Sequence, residues 1–333
     1  MDIKKLLPGD SDFHLFENLP KRLYPADSIR HRQQDAVSDD FLTACYVAVE
    51  NGEAQARVAL YGNPALTYKG RHAFSIGNYE CVDDPGIASA LLEHVAEELA
   101  QPGAVLIGPM NGSTWENYRF SLDHDAPNFF LEPYHHLYYN DHFLAAGFTP
   151  VSHYGSNLDT RLSFDFTDVL QREEELLERG MIIRGIDMNN FENELQKLYG
   201  FISGSFAGNF LYTPADREAF SKKYRQAAAI IRPEYVLIAE DGKGEVTGFI
   251  FCYDDLFNTA EKSLVIKTLA RKQSDEWRGL GQILANRVIR LAKARGYASI
   301  IHAFMISEGV STFASQKFLG GNYKNYVLYG KTL

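Results

Sequence analysis

The chain has 333 residues, 45% of them hydrophobic and 23% charged, enough for two domains that each bury a core. A net charge of −10 counts against a nucleic-acid partner, because that affinity comes from clustered Lys and Arg. No stretch approaches the ~20 apolar residues of a membrane span, and the start MDIKKLLPGDSD lacks a signal-peptide core.

Three cysteines, Cys45, Cys81 and Cys252, stand far apart in apolar, strand-like contexts. They are expected to be buried free thiols of a cytoplasmic protein, with no metal and no membrane association. Residues 1–40 are polar and broken by proline, with a short helix expected over Ser11 to Asn18 and a basic patch at Lys21, Arg22, Arg30 and Arg32. LTACYVAVE and AQARVALYG, separated by Asn51 and Gly52, predict a hairpin, and HAFSIGNYEC a further strand. DDPGIA then opens a helix, SALLEHVAEELAQPG, which leads into the strand AVLIGPM. Loops past strand ends in an open α/β sheet carry ligands, which makes Asn111, Ser113, Glu116, Tyr134, Tyr138 and Tyr139 substrate candidates. His135, His136 and His142 lack the i, i+4 pair that sets two metal ligands on one helix face.

Periodicity fades over PVSHYGSNLDT, which divides the chain into domains 1–157 and 158–333. RLSFDF and MIIRGI predict strands around a charged helix whose run REEELLER reads as a solvated face. FENELQKLYGFISGSF predicts a helix, and Thr213 or Asp216 in the next loop caps the one after it. EYVLIAEDGKGEVTGFIFCY reads as a hairpin about Gly242 to Gly244.

The stretch from Ser263 to Met305 reads strand, glycine turn, helix, strand. Gly279 and Gly281 stand where the helix begins, and its first N–H groups and dipole suit a phosphate or diphosphate there. Placing Gly86 on Gly279 puts Ala88 on Gly281 and Gly103 on Gly296, with matching apolar faces and an apolar strand after each helix. A tandem duplication accounts for that shared order.

The segment SLVIKTLA, the loop ending EWRGLG and the helix closing on ARGY resemble the acetyl-coenzyme A segment of the GNAT N-acetyltransferase superfamily, whose loop reads Gln/Arg-x-x-Gly-x-Gly/Ala. AAGF at 145–148 is similar to that family's Tyr-x-x-x-Gly-Phe ending. The resemblance implies an α/β protein of two GNAT-like domains, each a mixed, mostly antiparallel twisted sheet with helices on both faces. It implies an N-acyltransferase that takes acyl-CoA as co-substrate and an amine of a small molecule or peptide as acceptor, working as a monomer or homodimer. The thioester would meet the backbone at Leu269, Ala270 and Arg271, and the diphosphate would meet Trp277, Arg278, Gly279, Leu280, Gly281 and Gln282. Asn209, Phe210 and Tyr212 would wall the acceptor site. Glu276 departs from the family's Gln or Arg, and aligning Leu319-Gly320 puts Gln316 where a Tyr acid is usual; Tyr323, Tyr326 or Ser315 would stand in. His302 and Glu308 are the candidate bases by position. In the first half Asp83, Asp84 and Pro85 fill the loop places, so that copy is expected to be degenerate. The competing reading is an inactive binding protein of the same fold. A weaker one, aminoacyl transfer from charged tRNA, is opposed by the net charge.

Overall fold

The computed structural model describes residues 1–32, 36–99, 101–164, 166–307 and 321–333. In chain order the first half contains β1 (Asp2–Leu6), α1 (Phe13–Leu23), β2 (Leu42–Glu50), β3 (Glu53–Tyr61), β4 (Thr67–Tyr68), β5 (Arg71–Cys81), α2 (Pro85–Leu99), β6 (Val105–Gly108), β7 (Phe120–Ser121) and α3 (Tyr139–Ala145). There follow β8 (Thr149–Asp159), α4 (Thr167–Glu178), β9 (Ile182–Gly185), α5 (Phe191–Phe206), α6 (Arg217–Gln226), β10 (Val236–Glu240), β11 (Val246–Asp254), β12 (Ser263–Arg271), α7 (Leu280–Ala294), β13 (Ser299–Ile306) and β14 (Gly321–Thr332). These elements condense into two units. One comprises Met1–His153, Phe210–Thr213 and Lys324–Leu333; the other comprises Tyr154–Asn209 and Pro214–Tyr323.

In the first unit the β2–β3 hairpin turns at Asn51 and Gly52, both left-handed (φ 52° and 82°), as a two-residue turn requires. Strand side chains alternate between two covered faces. Ala44, Tyr46 and Ala48 pack with Leu91, Leu92 and Val95 of α2, whereas Cys45, Val47 and Val49 pack with Phe16 and Leu19 of α1. Burial on both faces is why β2 reads as an unbroken apolar run. β5 and β6 are parallel, paired from Ala73↔Val105 to Ser75↔Ile107, and the other pairings are antiparallel, including Tyr329↔Gly108 of β14 and β6.

Two expectations for the N-terminal arm are corrected. The helix runs Phe13–Leu23 with Pro20 inside it, because Phe16 and Leu19 bury an apolar stripe that continues past Asn18. Nor do the described side chains of the basic patch form one surface. Arg22 bonds Glu53 and the Ala54 carbonyl, while Arg30 is buried against Glu80 at 2.6 Å.

A buried pair ties β14 to the loop before α3. Lys324 Nζ lies 3.8 Å from Glu132, and the Tyr326 hydroxyl donates to the same carboxylate at 2.8 Å. Burial pushes the Glu132 carboxyl up to about 7, although Lys324 and Tyr326 pull it down. The folded chain therefore keeps a proton that the unfolded chain releases near 4.5, and this group costs stability as pH rises from 4.5 to about 7. Glu132→Gln is expected to flatten the pH dependence of the urea midpoint across that window. An unchanged slope would assign it to other groups.

In the second unit the sheet runs from β9 through β10, β11 and β12 to β13, with β12 and β13 parallel and the others antiparallel. Tyr154–Asp159 of β8 pairs antiparallel with β13. One face carries Ile250, Cys252, Leu264 and Ile266 under Leu280, Leu284 and Val288 of α7; on the other, Phe220 and Tyr224 of α6 lie against Phe251. Each unit is thus a mixed, mostly antiparallel sheet with helices on both faces. Asp216, not Thr213, caps α6, accepting from Ala219 N at 2.7 Å. RLSFDF is not a strand among the described residues. Leu162 is left-handed (φ 48°), and its amide bonds the Asp159 carboxylate. REEELLER is not simply solvated either, since Glu173 is buried and paired with Arg287 at 2.6 Å.

Candidate functional site

The β12–α7–β13 unit supplies the site. Its parallel ladder joins Ser263–Ile266 to Ser299–His302, and both strands continue beyond it. β12 bulges there, since Phe251 faces Thr268 while Cys252 faces Ile266, leaving Lys267 unopposed. Among the described residues, 268–271 pair with β11 and not with β13.

The turn into α7 is held from below and from one side. Trp277 and Leu280 are buried in the core, and a Cβ on Gly248 would stand 2.8 Å from Leu280 Cδ2, so the helix start sits tightly on β11. Gly279 is left-handed (φ 89°), a conformation that glycine adopts without strain. Gly279 has no side chain to cap α7, and no side-chain cap bond is found there among the described residues. Arg172 of α4 donates to the carbonyls of Glu276 (2.6 Å) and Arg278 (3.1 Å). Arg179 pairs with the Glu276 carboxylate at 3.0 Å, drawing that side chain toward α4. Arg271 donates to the carbonyls of Lys272 and Ser274, and the exposed Arg278 pairs with Asp275. A cleft of about 440 Å³ lies here, lined by Asp168, Val169, Arg172, Asp275, Arg278, Gly279 and Gln282.

The matching place in the first unit is filled by the chain itself. Asp84 accepts from Gly86 N (2.8 Å) and Ile87 N (3.1 Å), capping α2, and Pro85 contributes no N–H. β5 also bulges past its parallel ladder, at left-handed Asn78 (φ 47°), but Asn111 Oδ1 accepts the Asn78 N–H at 2.9 Å. A Cβ on Gly77 would stand 2.1 Å from that same oxygen, so the side chain is packed hard into the gap. By helix geometry Asp84, not Gly86, is the counterpart of Gly279, since Gly86 lies inside the first turn. Gly103 and Gly296 are both left-handed, but Gly296 N bonds the Lys293 carbonyl at the helix end whereas Gly103 N bonds the Leu333 carbonyl after β14.

The remaining candidates are dispersed. His302 is buried opposite Ile266, on the face beneath α7, and burial lowers its pKa to about 4. Tyr323 is the third residue of β14 and half-buried, while Glu308, Ser315 and Gln316 lie outside the described residues. Ser113 and Tyr212 come together around Trp115, whose indole donates to the Thr213 carbonyl at 2.9 Å and whose ring lies 5.9 Å from that of Tyr212, whereas the Asn111 side chain is turned to the Asn78 amide. Phe210 sets its ring edge against Tyr68. Tyr134 stacks on His124 elsewhere in the first unit, and Tyr138 donates to the Cys81 carbonyl. Asn209 is exposed and belongs to the second unit. Arg172 and Arg179 were not picked out from the sequence. Their seven-residue spacing puts them on one face of α4, but nothing in REEELLER says what that face meets.

The fold is that of the GCN5-related N-acetyltransferases, present as two tandem copies. A GCN5-related N-acetyltransferase from Sphaerobacter thermophilus matches at TM-score 0.54 and 12% identity, over 99% of this chain and 95% of that one. A tandem GNAT protein from the clavulanic acid biosynthesis pathway matches at 0.50 and 12%, over 99% and 98%. A GCN5-related glucosamine N-acetyltransferase region of a fungal multi-domain GH3 β-N-acetylglucosaminidase matches at 0.55 and 14%; 99% of this chain corresponds to 38% of that one. No family model matches the chain, and no curated protein does. Among the described residues no helix is long and apolar enough to cross a membrane.

Proposed function

We propose that the chain is an N-acyltransferase that moves an acyl group from acyl-CoA to an amine of a small molecule or peptide, with residues 158–333 as the copy that holds acyl-CoA and residues 1–157 as a copy that no longer does. The observation carrying this reading is the contrast between the two helix entries: α2 is closed by the Asp84 carboxylate, while α7 begins behind a left-handed glycine with no side-chain cap among the described residues. The diphosphate would rest on the N–H groups of Gly279 to Gln282, and the thioester arm would run along the unpaired edge of β12. Glu276, whose charge would oppose a diphosphate in the family's orientation, is held by Arg179 instead.

Chemistry then needs little from side chains. The neutral amine attacks the thioester carbonyl, a C–N bond forms as the C–S bond breaks, and the proton that the nitrogen loses balances the one that the thiolate takes up. Backbone N–H groups at the β12 bulge would polarise the carbonyl. His302 would be neutral at pH 7, as a base must be, but its burial requires a path for the proton. Calorimetric titration with acetyl-CoA, and with CoA in parallel, is the direct test. Micromolar binding at one site per chain is expected; no binding at millimolar ligand would overturn the reading.

A further inference from the structure

The α4 helix and the residue that ends it bring two arginines, Arg172 and Arg179, to the turn before α7. We propose that Arg172 and Arg179 are positioning residues that set the diphosphate loop in its binding conformation. The inference rests on the acyl-CoA reading above and assigns the loop's geometry to residues outside the loop.

A trans peptide carries its C=O and N–H in opposite directions. Fixing the Arg278 carbonyl on the Arg172 guanidinium therefore fixes the Gly279 N–H pointing away from α4. The second bond, to the Glu276 carbonyl, holds the turn at a further point, and Arg172 Nη1 is itself fixed by Glu175 at 2.7 Å. The planar fork suits this task; a lysine ammonium does not reproduce it. Contact is also close in the other direction, since a Cβ on Gly279 would meet Arg172 Cγ at 3.2 Å. Arg179 acts on charge. The loop carries Asp275 and Glu276, and only the latter has a partner on α4; the former is paired within the loop by Arg278. Without Arg179, the Glu276 carboxylate is free to swing toward a bound diphosphate.

Acetyl-CoA affinity, measured by calorimetry on the full chain, separates these roles. Arg179→Ala is expected to weaken binding about tenfold, the size of one adverse charge contact, and Arg179→Ala combined with Glu276→Gln to restore it. A purely structural role for Arg179 predicts no such rescue. Arg172→Lys and Arg172→Met are each expected to weaken binding about tenfold, the loss expected of one charge-assisted hydrogen bond, with thermal melting confirming a folded chain. If the unaltered chain binds acetyl-CoA and all the variants bind equally well, the positioning roles are wrong and the acyl-CoA reading stands. If the unaltered chain does not bind, both fail.

Discussion

Gly279→Asp is expected to reduce acetyl-CoA affinity by roughly two orders of magnitude or more while the chain remains folded. Aspartate tolerates a left-handed backbone better than most residues, and the atom its Cβ meets belongs to the flexible stem of Arg172, so the cost in stability is about 1 kcal/mol. Its carboxylate then stands at the cap of α7, where it accepts from N–H groups of the first turn, as Asp84 does in α2. Each N–H withdrawn from an ionised ligand is worth about 1.5–3 kcal/mol, and two such losses, before any charge repulsion, give about 3–6 kcal/mol. The substitution would remake the second-half site in the image of the first. Calorimetry against acetyl-CoA gives the affinity and thermal melting the fold; unchanged affinity in a folded variant would place the diphosphate elsewhere.

The two strand–helix–strand units were legible because their signals are local. An apolar run, a glycine or proline entry, an amphipathic stretch and a glycine soon after it, Gly103 or Gly296, specify each one without reference to the rest of the chain. Matching Gly86 to Gly279 misread the entry by two positions, because a glycine in sequence does not state its φ. What fills the first-unit gap was harder still. Asn111 stood out as a loop residue fit for a ligand, yet its side-chain oxygen is spent on the Asn78 amide. Strand position likewise brought out His302 but not the face it takes, and the face beneath α7 buries it. Arg172 and Arg179 looked like ordinary members of a charged run, since a helix surface does not announce which turn will pack on it. The final strand is a similar case: Lys324–Leu333 belongs to the first unit, a pairing that joins distant parts of the chain and leaves no periodic mark.

Glu80→Ala is expected to destabilise the first unit by about 3–5 kcal/mol, the usual cost of removing one partner from a buried ion pair. Glu80 is 2% exposed and accepts from Arg30 (2.6 Å), the Tyr24 hydroxyl (2.8 Å) and the Tyr139 hydroxyl (2.6 Å). Removing the carboxylate takes a countercharge from the Arg30 guanidinium, itself 8% exposed, and an acceptor from two buried phenols. Arg57 Nη2 is 3.9 Å away, so a second buried cation loses a countercharge. Glu80→Gln keeps the shape and one carbonyl acceptor, and its loss should be smaller but still well above the ~0.5 kcal/mol typical of surface changes. Urea unfolding followed by tyrosine fluorescence would measure both. A loss below about 1 kcal/mol in Glu80→Ala would mean that Arg30 turns out to solvent at little cost. The arm from Tyr24 to Arg30 would then be a loosely held cover on β5, and not the plug that its hydrogen bonds describe.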